Sequence, residues 1–302
     1  MASPFIILDF DGTITHQDTI NFIAQSVVSH HKGNSASINT KGGGAQEAWD
    51  HILAAYLADY EHHSSNYRPV SAARTTLEQE LAFQESLRSV DQASLDRVVA
   101  SGLFRGITAD DLRRAGEEAV RNGRVTIRKG FEAFIGASRN RWELGVLSVN
   151  WSKGWVEGVL GGYGEEALVV VNEIVHPEGG VKGPQQSGGR VIMTARDKLE
   201  AMRAMRMDLT GGERRLVIYV GDTTTDLACL LDADLGVVVA DEDGAKSGGL
   251  LDTLRRIGYE VPHIPECCEQ GGSAKRKLLV WARDFDEILH SNILERELAK
   301  EG

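Results

Sequence analysis

The sequence predicts an α/β protein, a parallel sheet with a block of helices inserted after its first strand. Three observations predict it. Short continuous apolar runs recur along the chain, as in strands covered on both faces. Segments of helical spacing separate the later runs, the alternation that builds βα units. Between the first run and the rest, residues 16 to about 122 show helical spacing alone.

The first run is Phe5-Ile6-Ile7-Leu8, which ends abruptly in Asp9-Phe10-Asp11-Gly12-Thr13. Residues 18–32 place Ile20, Ile23, Ala24 and Val27 on one helical face. Residues 45–63 do the same with Trp49, Ile52, Leu53, Tyr56 and Tyr60, and residues 70–100, also of helical spacing, carry Leu77, Leu81, Leu87, Leu95 and Val99 amid many charges. Thr108 and Asp111 open a further helix with a capping-box pattern. The Gly/Ser/Asn-rich stretch Asn34–Gly44 reads as a loop. Past Gly123, Val125–Gly130 leads into a helix. The strands that follow are Leu144–Leu147, Leu168–Val171, Leu216–Val220 and Leu235–Val239. Val175–Arg190 holds two prolines and five glycines and predicts a hairpin or flap. Thr194–Met207 is helical. Residues 263–274 read as a loop, and 275–298 as an amphipathic terminal helix. The expected division is an α/β core of residues 1–15 and 123–302, with a helical cap of residues 16–122.

Composition narrows the function classes. The chain has 302 residues, 42% hydrophobic and 25% charged, enough apolar material for a sizeable core. Its net charge is −11, which argues against a nucleic-acid partner. No apolar run approaches the ~20 residues that span a bilayer, so no membrane partner is expected. The N-terminus does not read as a secretory signal. The three cysteines, Cys229, Cys267 and Cys268, lack metal or redox spacing. A reducing, cytoplasmic location is the expectation.

Polar residues cluster where open α/β sheets bind ligands, just after strand ends. They are Asp9 and Asp11, Ser148, and Asp222 with Asp226; Lys198 stands on a helix. Carboxylates at Asp9, Asp11 and Asp222 would repel one another without a cation. A hard divalent ion with oxygen ligands and retained waters resolves this, and Mg²⁺ suits it. Lys198 and the Ser148 hydroxyl supply donors for an anion. Carboxylates, metal, lysine and serine together describe a phosphoryl-transfer site acting on a small phosphomonoester.

These motifs carry a family resemblance. Asp9-Phe10-Asp11-Gly12-Thr13 resembles the first motif of the haloacid dehalogenase-like phosphohydrolases. The run ending in Ser148, then Lys198, then Gly221-Asp222-Thr223-Thr224-Thr225-Asp226 resemble the second, third and fourth, in the family's order. A Val125–Gly130 strand, the Asn172–Gly183 flap and Asp197-Lys198 resemble the phosphoserine phosphatase-like branch, which carries a helical cap after the first motif. That resemblance implies a Rossmann-like core and assigns roles. Asp9 is the nucleophile that forms an aspartyl-phosphate, and Asp11 the general acid and then base, its pKa raised. Mg²⁺ is held by Asp9, the Asp11 carbonyl and Asp222. Ser148, Lys198 and Asn150 hold phosphate, and Asp226 orients Lys198 or a metal-bound water. Asp18 lies where that branch contacts a substrate amine, and it also fits the cap of the 18–32 helix.

The sequence departs from phosphoserine phosphatases where Val149-Asn150-Trp151 replaces two glycines, and at Thr223-Thr224-Thr225. The Ser148–Ser152 run and the residues after Asp226 resemble a plant and fungal branch near thiamine monophosphate phosphatases. An anionic Asp18 near the organic portion of the substrate, in a chain at −11, favours a cationic substrate in agreement with that resemblance, with Trp49, Tyr56 and Trp151 as candidate contacts; Trp49, Tyr56 and Tyr60 also fit the cap's own core. Alternative readings are a phosphoserine phosphatase, a phosphotransferase or phosphonatase of the superfamily, and a non-catalytic binding protein on this fold. A phosphonatase would want a cap lysine, and residues 42–122 have none.

Overall fold

The computed structural model describes residues 4–33, 44–139, 141–210, 215–241, 249–265 and 278–299. The predicted loop 34–43, most of the predicted loop 263–274, and Cys267 and Cys268 lie outside these residues.

The central strand is β1 (Phe5–Leu8). On one side lie β2 (Glu143–Leu147) and then β3 (Ala167–Val170); on the other lie β6 (Val217–Gly221), β7 (Leu235–Val239) and β8 (Leu278–Ala282). All pairings are parallel, in the order β3-β2-β1-β6-β7-β8. Alternate side chains serve opposite faces. Ile6, Leu8, Val146 and Ile218 join one apolar layer, and Phe5, Ile7, Leu147 and Val217 the other. Burial on both faces is why the strands read as unbroken apolar runs. Because β2, β1 and β6 are parallel neighbours, the residues after them, Ser148, Asp9 and Asp222, meet at one edge. The chain's progress across the sheet reverses direction beside β1, the switch point where such sheets bind ligands.

Between β1 and β2 come α1 (Ile20–Gly33), α2 (Ala45–Asn66), α3 (Leu77–Ser86), α4 (Arg88–Ser101), α5 (Ala109–Arg121) and α6 (Phe131–Ser138). The expected helix over 70–100 is two helices. Residues 71–73 form only a short 3-10 turn, Thr76 and Gln79 cap the start of α3, and the chain turns at Leu87. Thr108 and Asp111 form the expected capping box of α5. α5 lies directly on α7 (Lys153–Leu160), whose start Ser152 caps. There is no room for a side chain between them: a Cβ on Gly158 would lie 2.1 Å from the Arg113 carbonyl oxygen. The flap is the antiparallel hairpin β4 (Glu173–Val175) and β5 (Gly180–Lys182). α8 (Ala195–Thr210), α9 (Leu227–Asp232) and α10 (Leu250–Arg256) complete the other face.

Two further expectations are corrected. Val125–Gly130 is no sheet strand; only Ile127 bridges, to Thr15. The predicted helix over 275–298 is instead β8, then α11 (Phe285–His290) and α12 (Ile293–Ala299). Leu278–Ala282 pairs with Leu235–Val239, and Phe285, Ile288 and Ile293 sink into the core. Asp284 caps α11, so an N-cap signal interrupted the periodicity. Among the described residues no helix is long and apolar enough to cross a membrane.

Candidate active site

Asp9 follows β1 and is buried. Lys198, in the first turn of α8, is wholly buried and places its Nζ 2.5 Å from Asp9 Oδ1 and 2.6 Å from Asp226 Oδ1. The start of α8 is fixed because Asp197 Oδ2 accepts from the backbone N–H groups of Met193 and Thr194. The Tyr219 hydroxyl, from β6, also donates to Asp226 Oδ1 at 2.7 Å. Asp226 Oδ2 accepts from the backbone N–H groups of Asp222 and Thr223. Both Asp226 oxygens are therefore engaged in holding Lys198 and the loop after β6.

Ligand oxygens of Asp9, Asp222 and Asp226 lie within 4.8 Å of one another. Distance alone would admit all three to a metal site, but the hydrogen bonds occupying Asp226 leave Asp9 and Asp222 as the better donors. Thr13 Oγ1 donates to Asp222 Oδ1 at 2.9 Å and fixes that side chain. Gly12 makes the approach possible: its φ is +80°, and a Cβ there would lie 2.1 Å from Asp222 Oδ2. Arg128, buried beneath this loop, donates to the carbonyls of Gly12 and Thr13. Burial, then repulsion from Asp226, pushes the Asp9 carboxyl up to about 6, against the pull of Lys198. Burial followed by Asp9 and Asp226 raises Asp222 well above the carboxylate range. Burial works against the Lys198 charge, but Asp226 and Asp9 outweigh it and hold the ammonium above the ordinary lysine range. Three carboxylates around one lysine leave an excess negative charge. Buried excess charge is costly, and a divalent cation on oxygen donors fits it.

Asp11 has a separate setting. Its Oδ1 accepts from the Thr19 backbone N–H at 2.9 Å and from Thr19 Oγ1 at 2.6 Å; its Oδ2 accepts from Asn150 Nδ2 at 2.8 Å. The Trp155 indole donates to Thr19 Oγ1 at 3.0 Å. Burial, then Asp18, pushes Asp11 up to about 7 despite these donors. A carboxyl at that value can give and take a proton near neutral pH. Asn150, expected beside phosphate, turns its amide nitrogen to Asp11 and Thr19 and so orients the Asp11 side chain. Ser148 is buried after β2, and its Oγ accepts from the Asn150 N–H. Asn172, just after β3, donates to the carbonyls of Val149, Asn150 and Ile192 and holds these loops together.

A cavity of about 440 Å³ opens above these groups. Asp9, Asp11, Asp222 and Ser148 line its floor, and Asp18, Trp49, Tyr56 and Trp151 its walls. Asp18 lines the cavity, and its Oδ1 accepts from the Ile20 N–H at the start of α1, as expected of a cap. Trp49 is buried, bonded to Asn21 and set edge-on to Trp151. Lys198 lies beneath the floor, next to Asp9. Sequence reasoning missed Thr13, Thr19, Tyr219 and Asn172, all acting through other residues. It also missed Asp91 and Ser94, which reach the cavity from α4. Thr13 stood inside the first motif; the others carried no local signal.

No family model matches the chain. It is 24% identical over 271 residues to the "Bifunctional TH2 protein, mitochondrial" of Arabidopsis thaliana, covering 86% of this chain but only 42% of that protein. It therefore spans less than half of that relative. It is also 24% identical to Cold tolerance protein 1 of Saccharomyces cerevisiae, over 94% of this chain and 97% of that one. A CTO1 family protein of Schizosaccharomyces pombe is 25% identical, over 77% and 80%. Among solved structures, a substrate-bound phosphoserine phosphatase superposes with a TM-score of 0.51 at 15% identity, covering 96% of this chain and 98% of that one. A phosphoserine phosphohydrolase-like protein of Francisella tularensis gives 0.51 at 14% identity, over 95% and 98%. The chain thus has the haloacid dehalogenase-like α/β fold, which it shares with these phosphoserine phosphatase-type structures.

Proposed function

We propose that this chain is a Mg²⁺-dependent phosphomonoesterase that works through an aspartyl-phosphate on Asp9, with residues 16–122 acting as its cap. One observation carries the reading. Asp9, Asp222 and Lys198 converge where β1 and β6 end, while Asp11 stands apart at about 7 on its own donors. Two acidic groups in contrasting settings divide the work of nucleophile and acid.

In this reading, a carboxylate oxygen of Asp9 attacks phosphorus, and the ester oxygen departs with the proton that Asp11 supplies. Asp11, now a carboxylate, takes a proton from water as that water attacks the aspartyl-phosphate and frees phosphate. Lys198 and Ser148 stabilise the phosphoryl oxygens. Asp9, Asp222 and the Asp11 carbonyl would hold Mg²⁺, which when bound neutralises phosphoryl charge. Asp226 and Tyr219 keep Lys198 in place.

The substrate reading is a small phosphomonoester with a cationic organic portion. Five aspartates line the cavity, at 9, 11, 18, 91 and 222, and among the described residues no lysine, arginine or histidine does. A phosphoserine carboxylate would find no basic partner on those walls, so that alternative is disfavoured. Hydrolysis of p-nitrophenyl phosphate with Mg²⁺, lost with EDTA and in Asp9→Asn, tests the chemistry. No turnover of any phosphomonoester by the intact, Mg²⁺-loaded protein would overturn it. Asp18→Asn tests the charge preference: it should lower kcat/KM for a cationic ester such as thiamine monophosphate more than for p-nitrophenyl phosphate.

A further inference from the structure

The cavity extends well past the groups that would hold a phosphate. Its outer wall is made by α2, α3 and α4, which present Tyr56 and Tyr60, Gln84, and Asp91 and Ser94. Asp91 and Ser94 are three apart on α4 and share one face of that helix. Among the described residues the Asp91 carboxylate has no hydrogen-bond or ion-pair partner. Its neighbour Arg88 turns instead to Glu85 and Asp197. Ser94 is only 5% exposed, lines the cavity, and its hydroxyl likewise has no partner among the described residues. An unpaired hydroxyl on a buried residue that lines the cavity, and a half-buried unpaired carboxylate on the same wall, are groups that a ligand would satisfy.

Tyr56 connects this wall to the floor. Burial, followed by Asp91, Tyr60 and Asp18, pushes its hydroxyl up to about 12. Asp18 adjoins Thr19, whose backbone N–H and hydroxyl both donate to Asp11, whereas Asp91 comes from α4 and makes no hydrogen bond to the cavity floor among the described residues. Asp18 thus stands at the reacting end and Asp91 on the α4 wall, with Tyr56 and Tyr60 of α2 lining the same cavity. The Tyr56 and Tyr60 rings stand 6.3 Å apart at 35°. A lone carboxylate and two aromatic rings lining one cavity suit an organic cation. A hard metal ion would ask for several oxygens.

We propose that Asp91 and Ser94, walled by Tyr56 and Tyr60, form a distal subsite for a positively charged nitrogen at the end of the substrate remote from phosphate. The subsite sets both the charge and the length of the preferred ester. This rests on the phosphomonoesterase reading and goes beyond it, because Asp18 alone would favour a cation close to the phosphate. A short phospho-amine reaches Asp18 and leaves Asp91 unpaired; a longer one satisfies Asp91.

The test uses the full chain with Mg²⁺. The substrates are aminoalkyl phosphates of two-, four- and six-carbon chains, the matching uncharged alkyl phosphates, and p-nitrophenyl phosphate. The advantage of the amine over its uncharged partner in kcat/KM should grow with chain length, to about tenfold for the longest. Asp91→Asn should remove that growth through KM, leaving kcat and p-nitrophenyl phosphate turnover within about twofold; Ser94→Ala should weaken it in the same direction. An advantage independent of chain length, or Asp91→Asn lowering kcat on every ester alike, would overturn the subsite while the phosphatase reading stood. Absence of turnover on every ester, p-nitrophenyl phosphate included, would overturn both.

Discussion

Replacing Lys198 by methionine probes the electrostatics of the site most directly. The ammonium is wholly buried and sits 2.5 Å from Asp9 and 2.6 Å from Asp226. At an effective dielectric of about 20, each contact contributes roughly 6 kcal/mol before the cost of removing the charges from water. Methionine keeps the length and the apolar stem but leaves the carboxylates of Asp9, Asp222 and Asp226 within 4.8 Å of one another and uncompensated. Removing one partner of such a buried arrangement costs about 3–5 kcal/mol.

The pH dependence of that loss has a definite sign. Asp226 and Asp9 raise the lysine's pKa on folding, so its contribution is fully present throughout pH 5–8 in the parent protein. Asp9 and Asp222 already hold protons more tightly than free carboxylates, and without the ammonium they hold them more tightly still. The stability deficit of Lys198→Met should therefore be largest at pH 8 and shrink toward pH 5, as those carboxyls protonate. Added Mg²⁺ should recover part of it at pH 8. In activity, loss of one preorganised charge donor should lower kcat/KM by about 10²–10³. Urea denaturation at the two pH values, with and without Mg²⁺, and p-nitrophenyl phosphate kinetics measure all three effects. A deficit equal at pH 5 and pH 8, or a kcat/KM within threefold of the parent, would refute the reasoning.

Further outcomes follow from single contacts. Asp222→Asn should shift Mg²⁺ activation to higher metal concentration while the fold survives; an unchanged activation curve would remove Asp222 from the metal site. Asp11, pushed up to about 7, is expected to act in its protonated form, so kcat/KM for alkyl phosphates should fall as pH rises through neutrality. p-Nitrophenyl phosphate, whose leaving group departs without a proton, should lack that alkaline limb, and identical profiles would count against Asp11 as the acid. Burial pushes Asp91 up to about 6, so its contribution to stability is lost as pH rises from about 4 through 6. Allowing for its partial exposure, Asp91→Asn should be about 1–2 kcal/mol more stable than the parent at pH 8 and gain little at pH 4, read by thermal denaturation. Gly158→Ala drives a methyl into the Arg113 carbonyl and should cost about 1–3 kcal/mol through separation of α5 from α7; a variant as stable as the parent would show that the helices slide apart freely.

The parallel strands β1, β2, β3, β6 and β7 were legible because strands buried on both faces leave short apolar runs, a local signal. Asp9, Ser148 and Asp222 were legible for a related reason: a polar residue that ends such a run must sit at the sheet's edge. β8 was not, since five apolar residues beside a helical pattern do not reveal whether a neighbouring strand has hydrogen bonds to give; pairing with β7 decided it. The break at Leu87 was hidden because both halves keep helical spacing. The partners of each site residue were also beyond the reach of sequence. Asn150 turned to Asp11 and Trp155 to Thr19 through hydrogen bonds between segments more than a hundred residues apart, and Thr19 in turn holds Asp11, eight residues before it. Asp91 looked like any charge on an amphipathic helix. Whether such a residue meets water or a cavity depends on how its helix is rotated about its axis, and packing against α2 and α3 sets that rotation. Local patterns thus determined which residues stand at the strand ends, while only the tertiary structure decided what surrounds them, because charge, burial and donor geometry at a site come from segments brought together by folding.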